Sequence, residues 1–302
     1  TSQPTPDAVC KLWDQALEQF EEIVYIPLSS ALSGACGTAM MLAQKEPYAG
    51  KVFVVDNGRV SSTQKRTVLD ALELVEEGYS AEQIKEMLEA ARERSMIYIG
   101  VETLEFLKRG GRISTASAAL GSVLNIRPVL RFSTGMLETY KKCHGFHRAK
   151  KEMIDAMKNE FATNFKEEYE KGEVYLLAAS SASKEASDEW VKEIQEAFPG
   201  MDVVCDELSL GVSCHIGPGV VLALVVPADR KGFKKKIMLG RTHFFVGTAL
   251  SLAVMQPQSM ASLVAGVGAA AIGSMISDID SGTSQAHQEA DKIMAAVVAV
   301  SA

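Results

Sequence analysis

Hydrophobic residues fall into two rhythms along this chain. Between residues 5 and 20, Val9, Leu12, Trp13, Ala16, Leu17 and Phe20 recur every three or four positions. That spacing gathers them on one face of a helix. Thr5 before Pro6 supplies an N-cap and a proline at the first helical position. The stretches 23–28, 52–56 and 96–101 are instead short runs of consecutive apolar residues. Such runs suit strands buried on both faces. They alternate with helical segments at 35–45 and 62–77, and with one that starts at Ser80, where Gln83 completes a capping box. The alternation predicts a parallel, doubly wound α/β domain over 1–101.

The rhythm changes after residue 101. A short helix ends at Gly110 and Gly111. Residues 128–141 alternate around 133–135 and predict a hairpin. A helix over 147–170, a strand at 174–179, a helix at 184–197 and strands at 202–208 and 219–226 complete a second α/β domain, 102–230, with antiparallel pairs. A crevice between two such domains is a natural ligand site. The basic run KGFKKK at 231–236 then opens a tail of different character, 231–302. From 244 to 277 no residue is charged, and only Gln256-Pro257-Gln258 breaks the apolar run. This predicts an apolar helical hairpin, either inserted in a membrane or buried in a soluble fold.

A length of 302 residues accommodates two domains, and 47 % apolar with 23 % charged residues is a globular balance. The net charge of −7 argues against nucleic acid as a main partner. The five cysteines (10, 36, 143, 205, 214) are odd in number and include no CxxC pair, so free thiols in a reducing compartment are expected. That points to the cytoplasm, with membrane association through the tail.

Candidate chemistry concentrates in loops. In IPLSSALSGACGTA, 26–39, a strand empties into Ser29, Ser30, Ser33 and Gly34 at a helix start. Backbone N–H groups and hydroxyls converging there favour an anion. The opening TSQPTP, with Thr1 and Ser2, is a second loop of this kind, and GGRIS adds a cation, Arg112. The three could close on one carboxylate or phosphate, although the same residue types also build ordinary turns and caps. His215 precedes Gly217 and Gly219, and Arg148 opens a lysine-rich helix. Both are open to structural readings as well. The first 230 residues hold no GxSxG elbow, no GxGxxG after a strand and no P-loop. Asp56 closes a strand, a place used by catalytic and structural carboxylates alike. In the tail, His243, Asp278, Asp280 and His287 have the chemistry of ligands for a divalent metal, or of polar groups at helix ends.

In joint order and spacing, these pieces resemble the DegV family of fatty-acid-binding proteins. The matching stretches are TSQPTP at 1–6, LSSALSGACGTA at 28–39, VVDNGRVSS at 54–62, LEFLKRGGRIS at 104–114, LNIRPVL at 124–130, Arg148-Ala149-Lys150 and HIGPG at 215–219. The resemblance covers about 1–227 and implies a two-domain DegV-like fold lacking that family's first strand and its Asp-Ser-Thr loop. It implies that Thr1, Ser2, Ser30, Ser33, Gly34, Arg112 and His215 hold a long-chain fatty acid by its carboxylate. Leu120, Val123, Leu124, Ile126, Val129 and Leu130 are candidates for the tunnel wall. It further implies that Arg148 and His215 face a fatty acid kinase, which forms acyl-phosphate for phospholipid synthesis. The DegV-like part is then a carrier with no cofactor, not an enzyme. Ala35 stands where the family usually has threonine. The stretches MLGRTHFFVGTAL and SDIDSGTS resemble the start of the YdjM-like membrane-bound metal-dependent hydrolases, whose later histidine motif is absent. The rival readings are a hydrolase or acyltransferase using a loop serine or Asp56, and a metal-dependent hydrolase located in the tail.

Overall fold

The computed structural model describes residues 3–113, 126–133 and 136–227, and the backbone of 296–300. The chain divides into one unit of Thr1–Asp229 with His287–Ala302 and another of Arg230–Ala286. All described residues belong to the first.

The opening helical rhythm becomes α1 (Pro6–Leu17), capped by the Thr5 hydroxyl, which accepts the Ala8 N–H at 3.3 Å. It is followed by β1 (Glu22–Ile26), α2 (Ala35–Ala43), β2 (Val52–Val54), α3 (Ser61–Glu76) and α4 (Ala81–Ala90). β1 and β2 pair in parallel, with Ile23 opposite Val52. Because strand side chains alternate between faces, Ile23 and Tyr25 pack with Trp13, Cys36 and Ala39 of α1 and α2, while Val24 and Ile26 pack with Leu74, Ile84 and Leu88 of α3 and α4. This is why the run lacks polar alternation: both faces of β1 are covered.

β1 has a second partner, β9 (Ala296–Val300), which lies antiparallel with Val24 opposite Val298. A helical tail was expected there. The segment AVVAV is rich in valine, whose branched side chain suits a strand. The apolar hairpin expected over 244–277 lies outside the described residues, as do His243, Asp278, Asp280 and His287. Among the described residues no helix is long and apolar enough to cross a membrane, and no acidic, His or Cys cluster could hold a metal ion.

The third apolar run, β3 (Met96–Gly100), corrects the sequence reading. It does not extend the parallel sheet. The remaining elements are α5 (Glu105–Gly110), β4 (Ile126–Ser133), β5 (Met136–His144), α6 (Phe146–Ala162), α7 (Lys166–Lys171), β6 (Val174–Ser180), α8 (Lys184–Ala197), β7 (Val203–Glu207), α9 (Leu210–Ile216) and β8 (Val221–Pro227). They form a six-stranded mixed sheet in the order β5-β4-β3-β8-β6-β7, with β3 antiparallel to both its neighbours. An apolar run carries no information about direction or partner. Those are set by long-range pairing. The hairpin expected over 128–141 is β4–β5. The single helix expected over 147–170 is broken at Thr163 (φ −126°, ψ −84°). There Phe165 turns into the core, and the Thr163 hydroxyl donates back to the Asn159 carbonyl at 2.7 Å.

The faces of the large sheet differ. One packs on α6 and α8 through Met153, Met157, Trp190 and Ile194. The Trp190 indole donates to the Leu222 carbonyl at 3.0 Å. The other face carries Ile97, Ile99, Phe132 and Leu222. It meets the short helices α5 and α9 and part of α3, whose Arg66 lies 4.7 Å over the Tyr175 ring and whose Ser62 hydroxyl donates to the Ala178 carbonyl at 3.4 Å, with Leu32 and Val60 from the first sheet's loops packed alongside.

Candidate functional site

That second face is incompletely filled. A cavity of about 380 Å³ opens there, walled by Ile97, Ile99, Phe132, Leu137 and Leu222 of the sheet and by Leu107 of α5. This volume falls within the span of small-molecule sites, roughly 300–1,000 Å³. Polar side chains enter at its rim: Gln3, Ser33, Arg112 and His215.

Ser33 sits in the turn that follows β1. Its backbone N–H bonds the Ser29 carbonyl at 3.1 Å, and its hydroxyl accepts the Ala35 N–H at 3.2 Å. The residue is 6 % exposed and lines the cavity. Gly34 caps α2 without a side chain, and a Cβ there would meet Gln3 Oε1 at 2.7 Å. Glycine at this position therefore lets Gln3 lie over the start of the helix. Arg112 follows the left-handed Gly111 that ends α5. Its Nε donates to the Leu32 carbonyl at 3.4 Å, beside Ser33, and its Nη1 donates to the Gly110 carbonyl. No carboxylate pairs with this guanidinium among the described residues.

His215 lies at the end of α9 against Gly110, where a Cβ would come within 2.6 Å of Nδ1. Burial, and secondly the Arg112 charge, lower its pKa. The ring is thus neutral at neutral pH, with one donor and one acceptor nitrogen. The sign of the pH dependence follows. A histidine whose folded pKa lies below its unfolded value of about 6.5 takes up protons on unfolding. Stability should fall as pH drops from neutrality through that value, and His215→Gln should flatten the slope. Denaturant midpoints of both proteins across this pH range check it, and parallel curves would contradict it.

The other sequence candidates lie elsewhere. Ser30 is exposed and turned away from the cavity. Its hydroxyl donates to Asp56 Oδ2 at 2.6 Å, and its N–H donates to Oδ1 at 3.3 Å. Arg92 Nη1 also donates to Asp56 Oδ2, at 2.6 Å. Burial alone would raise the Asp56 pKa, but these hydrogen bonds and the Arg92 charge outweigh it and hold the carboxyl below its ordinary value. Asp56 thus fastens the serine loop. Thr1 and Ser2 lie outside the described residues. Arg148 is exposed on the first turn of α6 and does not line the cavity. Among the proposed wall residues, Val129 and Leu130 are sheet core, Ile126 is not part of the wall, and Leu120, Val123 and Leu124 fall outside the described residues.

Sequence reasoning missed the wall residues Phe132, Leu137 and Leu222, the short helix α9, and two polar members, Gln3 and Tyr25. Gln3 was inside a recognised motif. Tyr25 is the only side chain with a polar tip in the apolar run 23–28, a signal that could have singled it out.

Fold and cavity together define an α/β protein with a candidate ligand site between the carboxyl end of a parallel strand pair and one face of a mixed sheet. The DegV family model, described as an uncharacterised protein family, matches residues 1–228. A DegV domain-containing protein of Deinococcus radiodurans is 31 % identical over 227 residues, 75 % of this chain and 78 % of the relative. One from Streptococcus pneumoniae is 32 % identical over 198 residues, 66 % of each chain. A solved DegV family protein from Thermus thermophilus, described by its fatty acid binding, is 31 % identical with a TM-score of 0.65, covering 74 % of this chain and 78 % of its own. A stearic-acid-binding protein from Eubacterium ventriosum shares the fold at 21 % identity and a TM-score of 0.65, over 75 % of this chain and 77 % of its own. The chain belongs to the DegV family. Residues 238–302 lie beyond the family match, and none of these matches supports a likeness of the tail to YdjM-like hydrolases.

Proposed function

We propose that this protein binds one long-chain fatty acid, with its carboxylate at the Ser33–Arg112 rim and its chain along the apolar wall. The observation that carries the reading is the junction of two chemistries in one cavity. A guanidinium with no carboxylate partner among the described residues stands beside a hydroxyl, and both border a wall of aliphatic and aromatic side chains. Burying a methylene is worth about 0.8 kcal/mol, so some fourteen of them supply on the order of 10 kcal/mol gross. The chain then provides most of the affinity, and the rim provides orientation and preference for an anion. The fatty acid binding described for the Thermus thermophilus relative supports this reading.

In this proposal the protein is a cytoplasmic carrier, with no cofactor and no catalytic group of its own. Fatty acid kinase is its partner, converting the presented carboxylate to acyl-phosphate for phospholipid synthesis. Exposed Arg148 suits a docking role, and His215, at the cavity rim, suits contact with both ligand and partner. Native mass spectrometry of the full chain purified from bacterial cells tests the binding. The expected species carries one long-chain fatty acid, released intact on denaturation. A bound lipid without a carboxylate, or protein that stays empty when offered palmitate, would overturn the reading.

A further inference from the structure

Tyr25 carries a buried hydroxyl to which no described residue hydrogen-bonds. The residue is 1 % exposed. Its ring packs edge-on against Trp13, with centroids 5.2 Å apart and planes at 84°, and Trp13 is held in turn by Tyr48. The ring position is therefore set by aromatic packing, which phenylalanine would satisfy equally. The hydroxyl makes no hydrogen bond among the described residues, and it is not among the fully enclosed side-chain atoms that lack a partner. It therefore opens onto space. Since Tyr25 lines the cavity together with Gln3, Ser33 and Ala35, that space is the cavity.

A buried hydroxyl without a partner is costly, and an apolar replacement of the same shape avoids that cost. We propose that the Tyr25 phenol is a ligand-binding donor, giving its hydrogen bond to the carboxylate of the bound fatty acid. This rests on the fatty-acid reading above. Burial and the nearby Cys36 thiol raise the phenol's pKa, so the group stays protonated and remains a donor. A carboxylate has about four acceptor positions over its two oxygens. Ser33 and Arg112 reach it from the loop side, and Tyr25 meets it from β1, the strand that launches that loop. The bond would be charge-assisted and formed away from water, where such bonds are strongest.

Tyr25→Phe tests the assignment, because the ring and its packing are retained. Three measurements are made on the full chain: palmitate affinity, thermal stability without ligand, and the titration midpoint of carboxyl-¹³C-labelled palmitate in the bound state. The variant is expected to bind palmitate about 5–30-fold more weakly, in line with the loss of one hydrogen bond to a charged group. The unliganded variant should be at least as stable as wild type, and the bound carboxyl should titrate at higher pH, because one donor to its ionised form is gone. Unchanged affinity with an unchanged midpoint removes Tyr25 from the site and leaves the fatty-acid reading standing. A loss of unliganded stability shows that the hydroxyl has an internal partner, and that also overturns the assignment. Wild-type protein that fails to bind palmitate overturns both.

Discussion

Replacing Arg112 with alanine should weaken palmitate binding by about 1–3 kcal/mol, roughly 5- to 150-fold, while binding of the matching fatty alcohol falls much less. The difference between the two ligands is the informative quantity. Arg112 also bonds the Leu32 and Gly110 carbonyls, so its removal loosens the rim for any ligand. That part of the loss is common to acid and alcohol. Only the acid loses a cation facing its charge. Ser33→Ala should show the same preference with a smaller loss, since it removes a neutral donor rather than a charge. Titrating wild type and both variants with the two ligands, after confirming unchanged thermal stability, measures both components. Equal losses for acid and alcohol would show that Arg112 is a scaffold for the loop and not a carboxylate ligand.

Ile99→Trp should produce the largest effect on the apolar side. Ile99 lies near the end of β3 and lines the cavity with Ile97, Phe132 and Leu222. An indole at that position occupies space that the acyl chain would otherwise fill. If about four methylenes are displaced, the loss is on the order of 3 kcal/mol, more than a hundredfold. A short acid such as octanoate, which leaves this part of the cavity empty, should bind almost as before. Overpacking costs roughly 1–3 kcal/mol of stability, so denaturant unfolding of the variant accompanies the binding assay. A uniform loss for long and short acids would place Ile99 away from the chain, and an unchanged profile would mean that the cavity does not hold it.

The legible parts of the site were those with local signals. The Ser33–Gly34 turn and the left-handed glycine before Arg112 each answer to chemistry within a few residues of chain. The role of Ser30 was not legible. It lies three positions from Ser33 in the same hydroxyl-rich loop, yet one faces the cavity and the other is held by Asp56 and Arg92. Composition is identical for the two, and only a carboxylate just after the next strand, Asp56, decides between them. Val129 and Leu130, expected in the wall, lie in the sheet core for a similar reason. Val129 and Leu130 were as apolar as Phe132 and Leu137, but which sheet positions border a void depends on what covers them. Here α6 and α8 cover one face, while among the described residues the short α5 and α9 and part of α3 leave a cavity on the other.

The amino-acid sequence by itself determined the helix starts at Thr5 and Ser80, the two buried strands read at 23–28 and 52–56 and observed at 22–26 and 52–54, the hairpin of β4 and β5, and the order of loops that marks the family. Each depends on periodicity, capping or turn chemistry, which act over a few residues. Only the tertiary structure decided that β3 joins the six-stranded sheet, that β9 pairs with β1, that Asp56 fastens Ser30, and that Tyr25 lines the cavity. These outcomes depend on contacts between segments far apart along the chain. A strand's partner and the direction in which a side chain points are set by what is buried against it, and local pattern carries no record of that.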